Sequence, residues 1–320
     1  MITVPDHLKG RHFTCISAWT EAELALALDL ADELKAAQRR REPHPVLPGR
    51  SLGMIFQKPS TRTRVSFEVG MHQLGGRALF LSSHDVQLDR GETIADTARV
   101  LSRYVQGIMA RVYAHQDILD LARHGSVPVI NGLSDLLHPC QALADYFTLR
   151  ERRGGLAGLK LAYVGDGNNV AHELMFGAVK LSLHFSIGCP KGYEPNPLIF
   201  KSAVREAQKL GSPIPEVSAD PYEAVSGADV VYTDAWTSMG QEAEAQARLA
   251  AFQGFQVTPE MLAAAGPDVM FMHCLPAHRG EEVAAEVIDG PQSVVFDEAE
   301  NRLHVQKAVL VTLLGQSSDE

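Results

Sequence analysis

The sequence predicts an α/β fold of two doubly wound parallel-sheet domains, with the active site in the cleft between them. Three observations carry this prediction. Short apolar runs alternate with amphipathic stretches along the chain, the pattern of repeated βαβ units. The 320 residues are too many for one average domain and suit two. Polar residues capable of chemistry follow the apolar runs directly, where open parallel sheets bind their ligands.

Taken in order, Thr20-Glu21-Ala22-Glu23 reads as a capping box, and Leu24, Ala27, Leu28 and Ala31 then recur at helical spacing to about Arg40. Pro43, Pro45, Pro48 and Gly49 end that helix. The spacing then predicts strand 51–56, helix 62–75, strand 77–81, helix 92–103, strand 107–111, helix 116–123, strand 127–130 and helix 138–150. The polar turn Arg152-Arg153-Gly154-Gly155 marks the expected boundary, giving domains 1–150 and 151–320. Beyond it come strand 159–164, helix 170–181, strand 185–188 and helix 197–210. Further strands are expected at 229–233, 268–272 and 293–296, with helices at 221–226, 259–265 and 281–287. A closing helix over 301–314 stops at Gly315 and is expected to pack back on the first domain, with a frayed 317–320 tail.

Composition narrows the function classes. A net charge of -10 without a basic tract argues against nucleic acid as a partner. No apolar run approaches a membrane span, and the N-terminus lacks the features of a signal or transit peptide. Cys15, Cys140, Cys189 and Cys274 show no Cys-x-x-Cys spacing, which speaks against a disulfide framework or structural zinc and fits a reducing cytoplasm.

The richest stretch is Phe56-Gln57-Lys58-Pro59-Ser60-Thr61-Arg62-Thr63-Arg64. It places hydroxyls and guanidiniums at a strand-to-helix turn, where free N–H groups and the positive end of the helix dipole favour an anion. Arg62 or Arg64 can grip two oxygens with a planar fork. The competing reading is a Ser60 cap with solvated arginines. The stretch lacks the glycines and Gly-Lys-Ser/Thr ending of a Walker loop, so a small phosphorylated molecule fits better than ATP. Arg111 at a strand end and His138-Pro139-Cys140-Gln141 at a helix start supply a second cation, an imidazole and an amide able to polarise a carbonyl.

In the second half, Gly165-Asp166-Gly167-Asn168-Asn169 follows a strand and opens a helix, but lacks the third glycine of a dinucleotide fingerprint. Asp234-Ala235-Trp236-Thr237-Ser238-Met239-Gly240 follows another strand and offers a carboxylate and a hydroxyl for an amino group. His273-Cys274-Leu275-Pro276 places a thiol at a third strand end, with His273 directed to the opposite face as its sequence neighbour. Arg302 stands near the start of the last predicted helix, a third possible cation.

Together, Ser60 to Arg64, His138 to Gln141, Asp166 to Asn169, Asp234 to Gly240 and His273 to Pro276 resemble the aspartate and ornithine carbamoyltransferases over essentially the whole chain, the last three in the manner of the ornithine branch. The resemblance implies transfer of a carbamoyl group from carbamoyl phosphate to the side-chain amine of L-ornithine, giving citrulline and phosphate without cofactor or metal. It implies that Ser60, Thr61, Arg62, Thr63, Arg111, His138, Gln141 and Arg302 hold carbamoyl phosphate, with Gln87 reaching a neighbouring subunit's site. Asn169, Asp234, Ser238 and Met239 would hold ornithine, and Cys274 and Leu275 would line the reaction centre against the carbamoyl group. Arg111, His138, Thr63 and Cys274 are the implied catalytic set, and a homotrimer or an assembly of trimers is the implied oligomer. Gln57 departs from the pattern, since relatives often carry an acidic residue there.

The alternatives within this chemistry are N-acetylornithine, N-succinylornithine, putrescine or aspartate as acceptor. Asp234 with Ser238-Met239-Gly240 favours a free α-amino group, because a blocked amine offers a carboxylate no cation to pair with. From another class, a nicotinamide-dependent oxidoreductase is what Gly165-x-Gly167 alone would suggest.

Overall fold

The computed structural model describes residues 2–83 and 86–315, so the expected 317–320 tail lies outside the described residues. The chain forms two compact units, Met1–Phe147 with Glu300–Glu320, and Thr148–Ala299. Among the described residues, no helix is long and apolar enough to cross a membrane.

In the first unit, α1 (Glu21–Arg39) starts on the expected box: Thr20 Oγ1 accepts from Glu23 N at 3.3 Å and Glu23 Oε2 accepts from Thr20 N at 2.8 Å. There follow β1 (Ser51–Phe56), α2 (Thr61–Gln73), β2 (Arg77–Ser82), α3 (Ile94–Leu101), β3 (Gly107–Arg111), α4 (His115–His124), β4 (Val129–Leu133) and α5 (Pro139–Arg153). The strands are parallel in the order β2-β1-β3-β4. Ile55, Ile108, Ala110 and Val129 of the sheet bury against Ala98 of α3 and Ile118 and Leu121 of α4. Each isoleucine, leucine or valine among them that is withdrawn from water contributes roughly 1.5–3 kcal/mol. Because β1 runs between β2 and β3, the direction of winding reverses between β1 and β3. Such a switch point is where a doubly wound sheet opens to a ligand.

The second unit repeats the plan with β5 (Lys160–Val164), α6 (Asn169–Lys180), β6 (His184–Gly188), α7 (Pro197–Leu210), β7 (Glu216–Ser218), α8 (Pro221–Val225), β8 (Val230–Thr233), α9 (Ala245–Ala251), α10 (Pro259–Ala265), β9 (Met270–His273) and α11 (Ala285–Ile288), while α12 (Val295–Leu314) starts in it and from Glu300 onward belongs to the first unit. Its parallel order is β7-β6-β5-β8-β9, with the switch between β5 and β8. Trp236, Phe252, Phe255 and Phe271 fill the core on one side of that sheet. The chain passes between the units within α5 and α12.

Several expected elements differ. The strand expected over 293–296 is absent: Ser293 makes only an isolated bridge to Phe271, and α12 begins at Val295. The β-branched run reads as a strand, but Asp297 and Glu298 favour a helix N-terminus, and buried Glu298 accepts from Tyr232 Oη at 3.2 Å and His273 N at 3.0 Å. The helix expected over 281–287 shrinks to α11. The edge strand β7 and helix α9 were not expected, being too short for a periodic signal.

Candidate active site

At the switch point of the first unit, α2 begins with Ser60 as its cap, whose Oγ accepts from Thr63 N at 3.2 Å. The cap uses Ser60 Oγ as an acceptor and does not consume its O–H. Thr63 is buried, and its Oγ1 accepts from Arg302 Nη2 at 3.2 Å while Arg302 Nη1 donates to Gln141 Oε1 at 2.7 Å. Gln141 Nε2 in turn donates to Asp145 Oδ1 at 2.8 Å. This chain of hydrogen bonds orients the Arg302 fork from both sides. Arg302 lies about two turns inside α12 rather than near its start, because the helix begins earlier than the sequence suggests.

His138 is buried, and its carbonyl accepts from Gln141 N and Ala142 N at the head of α5. Burial and the neighbouring guanidiniums of Arg302, Arg111 and Arg62 hold its imidazole well below the usual histidine range, so it is neutral. Its Nδ1 has no hydrogen-bond partner among the described residues. A neutral imidazole beside three cations can polarise a carbonyl oxygen without adding to the charge. Thus Arg62, Thr63, Arg111, His138, Gln141 and Arg302 converge in one unit. Thr61 is exposed on the first turn of α2. Arg64 turns away, stacking on Phe80 at 3.8 Å and pairing with Glu68 at 3.0 Å. Gln87 lies exposed in a 3-10 turn over Gln87–Arg90, and no hydrogen bond joins it to the cluster among the described residues.

At the switch point of the second unit, Asp234 follows β8. Its Oδ2 accepts from Asn168 Nδ2 at 2.8 Å and its Oδ1 from Cys274 Sγ at 3.0 Å and from Ala235 N at 2.8 Å. Asn168 caps α6, its Oδ1 accepting from Val170 N and Ala171 N, which leaves Asn169 at the first helical position. Ser238 N donates to Gln241 Oε1 at 3.1 Å, and Met239 is exposed. The structure therefore groups Asp234 and Cys274 directly, with Asn169 at the start of α6 and Ser238–Met239 on the loop after β8. Leu275 follows with φ 58.

Both ring nitrogens of His273 have partners other than Cys274. Its Nε2 meets Glu282 Oε1 at 3.2 Å and its Nδ1 accepts from Leu275 N at 2.8 Å, on the buried side of the strand. Among the described residues, two clusters bring metal-ligating atoms within 4.8 Å of one another, Asp234 with His273 and Cys274, and His278 with Glu281 and Glu282. In both, ligand atoms are already engaged in the hydrogen bonds just described or in the contact of His278 Nδ1 with Glu282 Oε2 at 3.5 Å.

The glycines that suggested a dinucleotide have another cause. A Cβ on Gly167 would lie 2.2 Å from Pro195 N, so the residue admits the neighbouring 193–195 loop. Sequence reasoning missed Arg248, which donates from Nη1 to Asp166 Oδ2 at 2.8 Å and to Trp236 O at 2.9 Å, bracing the segment that carries Ser238. No local signal joins residues so far apart in the chain.

The carbamoyl-P binding domain of the aspartate/ornithine carbamoyltransferases matches residues 11–151, and their Asp/Orn binding domain matches residues 157–313. The chain is 58% identical over 308 residues to an ornithine carbamoyltransferase of Thermococcus kodakarensis, covering 96% of this chain and 98% of the relative. It is 57% identical, with the same coverage, to an anabolic ornithine carbamoyltransferase of Pyrococcus furiosus. The solved ornithine carbamoyltransferase from Pyrococcus furiosus superposes with a TM-score of 0.94 at 56% identity, over 99% of this chain and all (100%) of that one. The enzyme from Thermus thermophilus gives 0.86 at 46% identity, over 98% and 100%. With both family domains matched in order and 58% identity to an ornithine carbamoyltransferase over 96% of its length, the chain belongs to the aspartate/ornithine carbamoyltransferase family.

Proposed function

We infer that this chain transfers the carbamoyl group of carbamoyl phosphate to the side-chain amine of L-ornithine, giving L-citrulline and phosphate. The observation that carries the reading is the convergence of Arg62, Arg111 and Arg302 on a buried, neutral His138 at the head of α5. Residues 1–150, with the closing helix, are assigned to carbamoyl phosphate, and residues 151–320 to ornithine. Ser60, Thr61, Arg62, Thr63, Arg111, Gln141 and Arg302 hold the phosphate and carbonyl oxygens. Asn169, Asp234, Ser238 and Met239 hold the amino-acid end of ornithine. Cys274 and Leu275 orient the attacking nitrogen and the carbamoyl group.

The chemistry asks for these residue types. A neutral amine attacks the carbonyl carbon, the C–O bond to phosphate breaks, and the departing phosphate takes the proton from the newly bonded nitrogen. Charge builds first on the carbonyl oxygen, which Arg111, His138 and Thr63 stabilise, and then on the leaving phosphate, which the guanidiniums stabilise. A side-chain amine has an ordinary pKa near ~10.4, judged from lysine, so the rate should rise with pH as the neutral amine becomes available. The anabolic Pyrococcus furiosus relative supports a place in arginine biosynthesis. A cytoplasmic homotrimer, or an assembly of trimers, with Gln87 serving a neighbouring subunit's site, completes the reading.

The test is a panel of amines with carbamoyl phosphate, following phosphate release and the ureido product together. Ornithine should be the preferred acceptor over N-acetylornithine, N-succinylornithine, putrescine and aspartate. Arg62→Ala should raise KM for carbamoyl phosphate, and Asp234→Ala should impair use of ornithine. Wild-type kinetics in both variants would overturn the assignment.

A further inference from the structure

Gln57 stands one residue beyond β1, and the roles assigned above make no use of it. Its backbone N–H donates to Arg111 O at 2.9 Å, one step past the last β1/β3 pair, Phe56 with Arg111. Its side chain continues the contact: Oε1 accepts from Tyr113 N at 2.9 Å, and Nε2 donates to Asp117 Oδ2 at 3.0 Å. The next residue, Lys58, is buried and sets its ammonium 4.6 Å from the centre of the Tyr113 ring. Two consecutive residues thus hold the segment that carries Arg111.

That segment needs holding. The register of β3 on β4 shifts between Ala110 and Arg111, where Gly132 is an extra residue on β4, so Arg111 pairs with Leu133 across an irregular step. On the β4 side, Val112 N donates to Leu133 O at 2.9 Å. On the β1 side, the Gln57 amide stands in for a backbone acceptor that a regular ladder would have supplied. Three residues further along from Gln57, Ser60 caps α2 and opens the turn that bears Arg62 and Thr63.

We propose that Gln57 is a positioning residue for the anion site, fixing the spacing between Arg111 and the Ser60–Thr63 turn so that both reach one phosphorylated ligand. The proposal deepens, and rests on, the assignment of that site to carbamoyl phosphate. An amide suits the position because a single group must accept from a backbone N–H and donate to a carboxylate at once. An ionised carboxylate can accept but not donate, and Gln57→Glu would set two carboxylates at hydrogen-bonding distance.

Steady-state kinetics of Q57E, D117N, Q57E/D117N and R111A, with each substrate varied in turn, test the proposal. Q57E should raise KM for carbamoyl phosphate about tenfold, equivalent to ~1.4 kcal/mol, and leave KM for ornithine within about twofold. In Q57E/D117N the introduced amide at position 117 can donate to the introduced carboxylate at 57, which still accepts from Tyr113 N. This double variant should return to within about threefold of wild type. Gln57→Met, which removes both side-chain bonds without adding charge, should show the same selective rise and serves if Q57E does not fold. An unchanged KM for carbamoyl phosphate in Q57E or Q57M, equal losses for both substrates, or a double variant no better than Q57E overturns the proposal. If R111A keeps the wild-type KM for carbamoyl phosphate, the assignment of the site itself fails; if R111A is impaired and Q57E is not, only the role of Gln57 fails.

Discussion

Replacing Arg248 by Met should damage both the stability of the second unit and its handling of ornithine. The Arg248 and Asp166 side chains are 8% and 11% exposed and meet at 2.8 Å. Removing one partner of such a buried pair typically costs about 3–5 kcal/mol, because the other charge is left uncompensated. The additional bond to Glu244, whose side chain is 62% exposed, adds little. Burial already pushes the Asp166 carboxyl above its ordinary value despite the attraction of Arg248. The folded state therefore holds the Asp166 proton more tightly than the unfolded state does. The resulting penalty is absent at pH below the unfolded value and builds as pH climbs through the folded one. Without Arg248 the folded value rises further, so the loss of stability in R248M should be smaller at pH 5 than at pH 8. Denaturant unfolding followed by fluorescence reads this, since Trp236 stacks on Phe252 at 5.3 Å within the same core. The double variant R248M/D166N, with both charges gone, should recover most of the loss. Because Arg248 also braces the Trp236 carbonyl, R248M should raise KM for ornithine more than KM for carbamoyl phosphate. A loss below about 1 kcal/mol, or the same loss at both pH values, would refute the reasoning.

Two further outcomes are expected. His138→Gln should lower kcat by about 100- to 1000-fold, and by a similar factor at every pH from about 6 to 9, because burial and three guanidiniums keep the wild-type imidazole neutral throughout; a loss that deepens sharply on the acid side would mean that His138 works as the imidazolium. Burial lowers the Lys307 ammonium to about 8, where it donates to Gln38 Oε1 and Gln73 Oε1, each at 2.9 Å, and meets His44 Nε2 at 3.2 Å. Between pH of about 8 and 10.5 the unfolded chain binds more protons at this group, so the stability of wild type relative to Lys307→Met should rise across that window. Chemical unfolding of the two proteins at pH 8 and 10 measures it.

Local chemistry made much of this protein readable. The Thr20 capping box, the Ser60 turn and the apolar runs of β1, β3 and β5 act over a few residues, and their signals stand in adjacent positions. The same locality misled at 293–296, where a β-branched run was outweighed by the buried contacts of Glu298 with Tyr232 and His273. Neither bond can be seen from the neighbours of Glu298 in sequence.

The sequence by itself determined two wound α/β units and the residues that follow their strands, because hydrophobic periodicity and turn chemistry are written within one element. Only the tertiary structure decided what those residues become. Arg302 reaches Gln141 and Thr63 across 161 and 239 positions, and Arg248 reaches Asp166 across 82. The neutrality of His138 likewise depends on burial and on cations gathered from α2, β3 and α12. Charge state and fork geometry follow from distance and solvent exclusion, which only the assembled chain possesses.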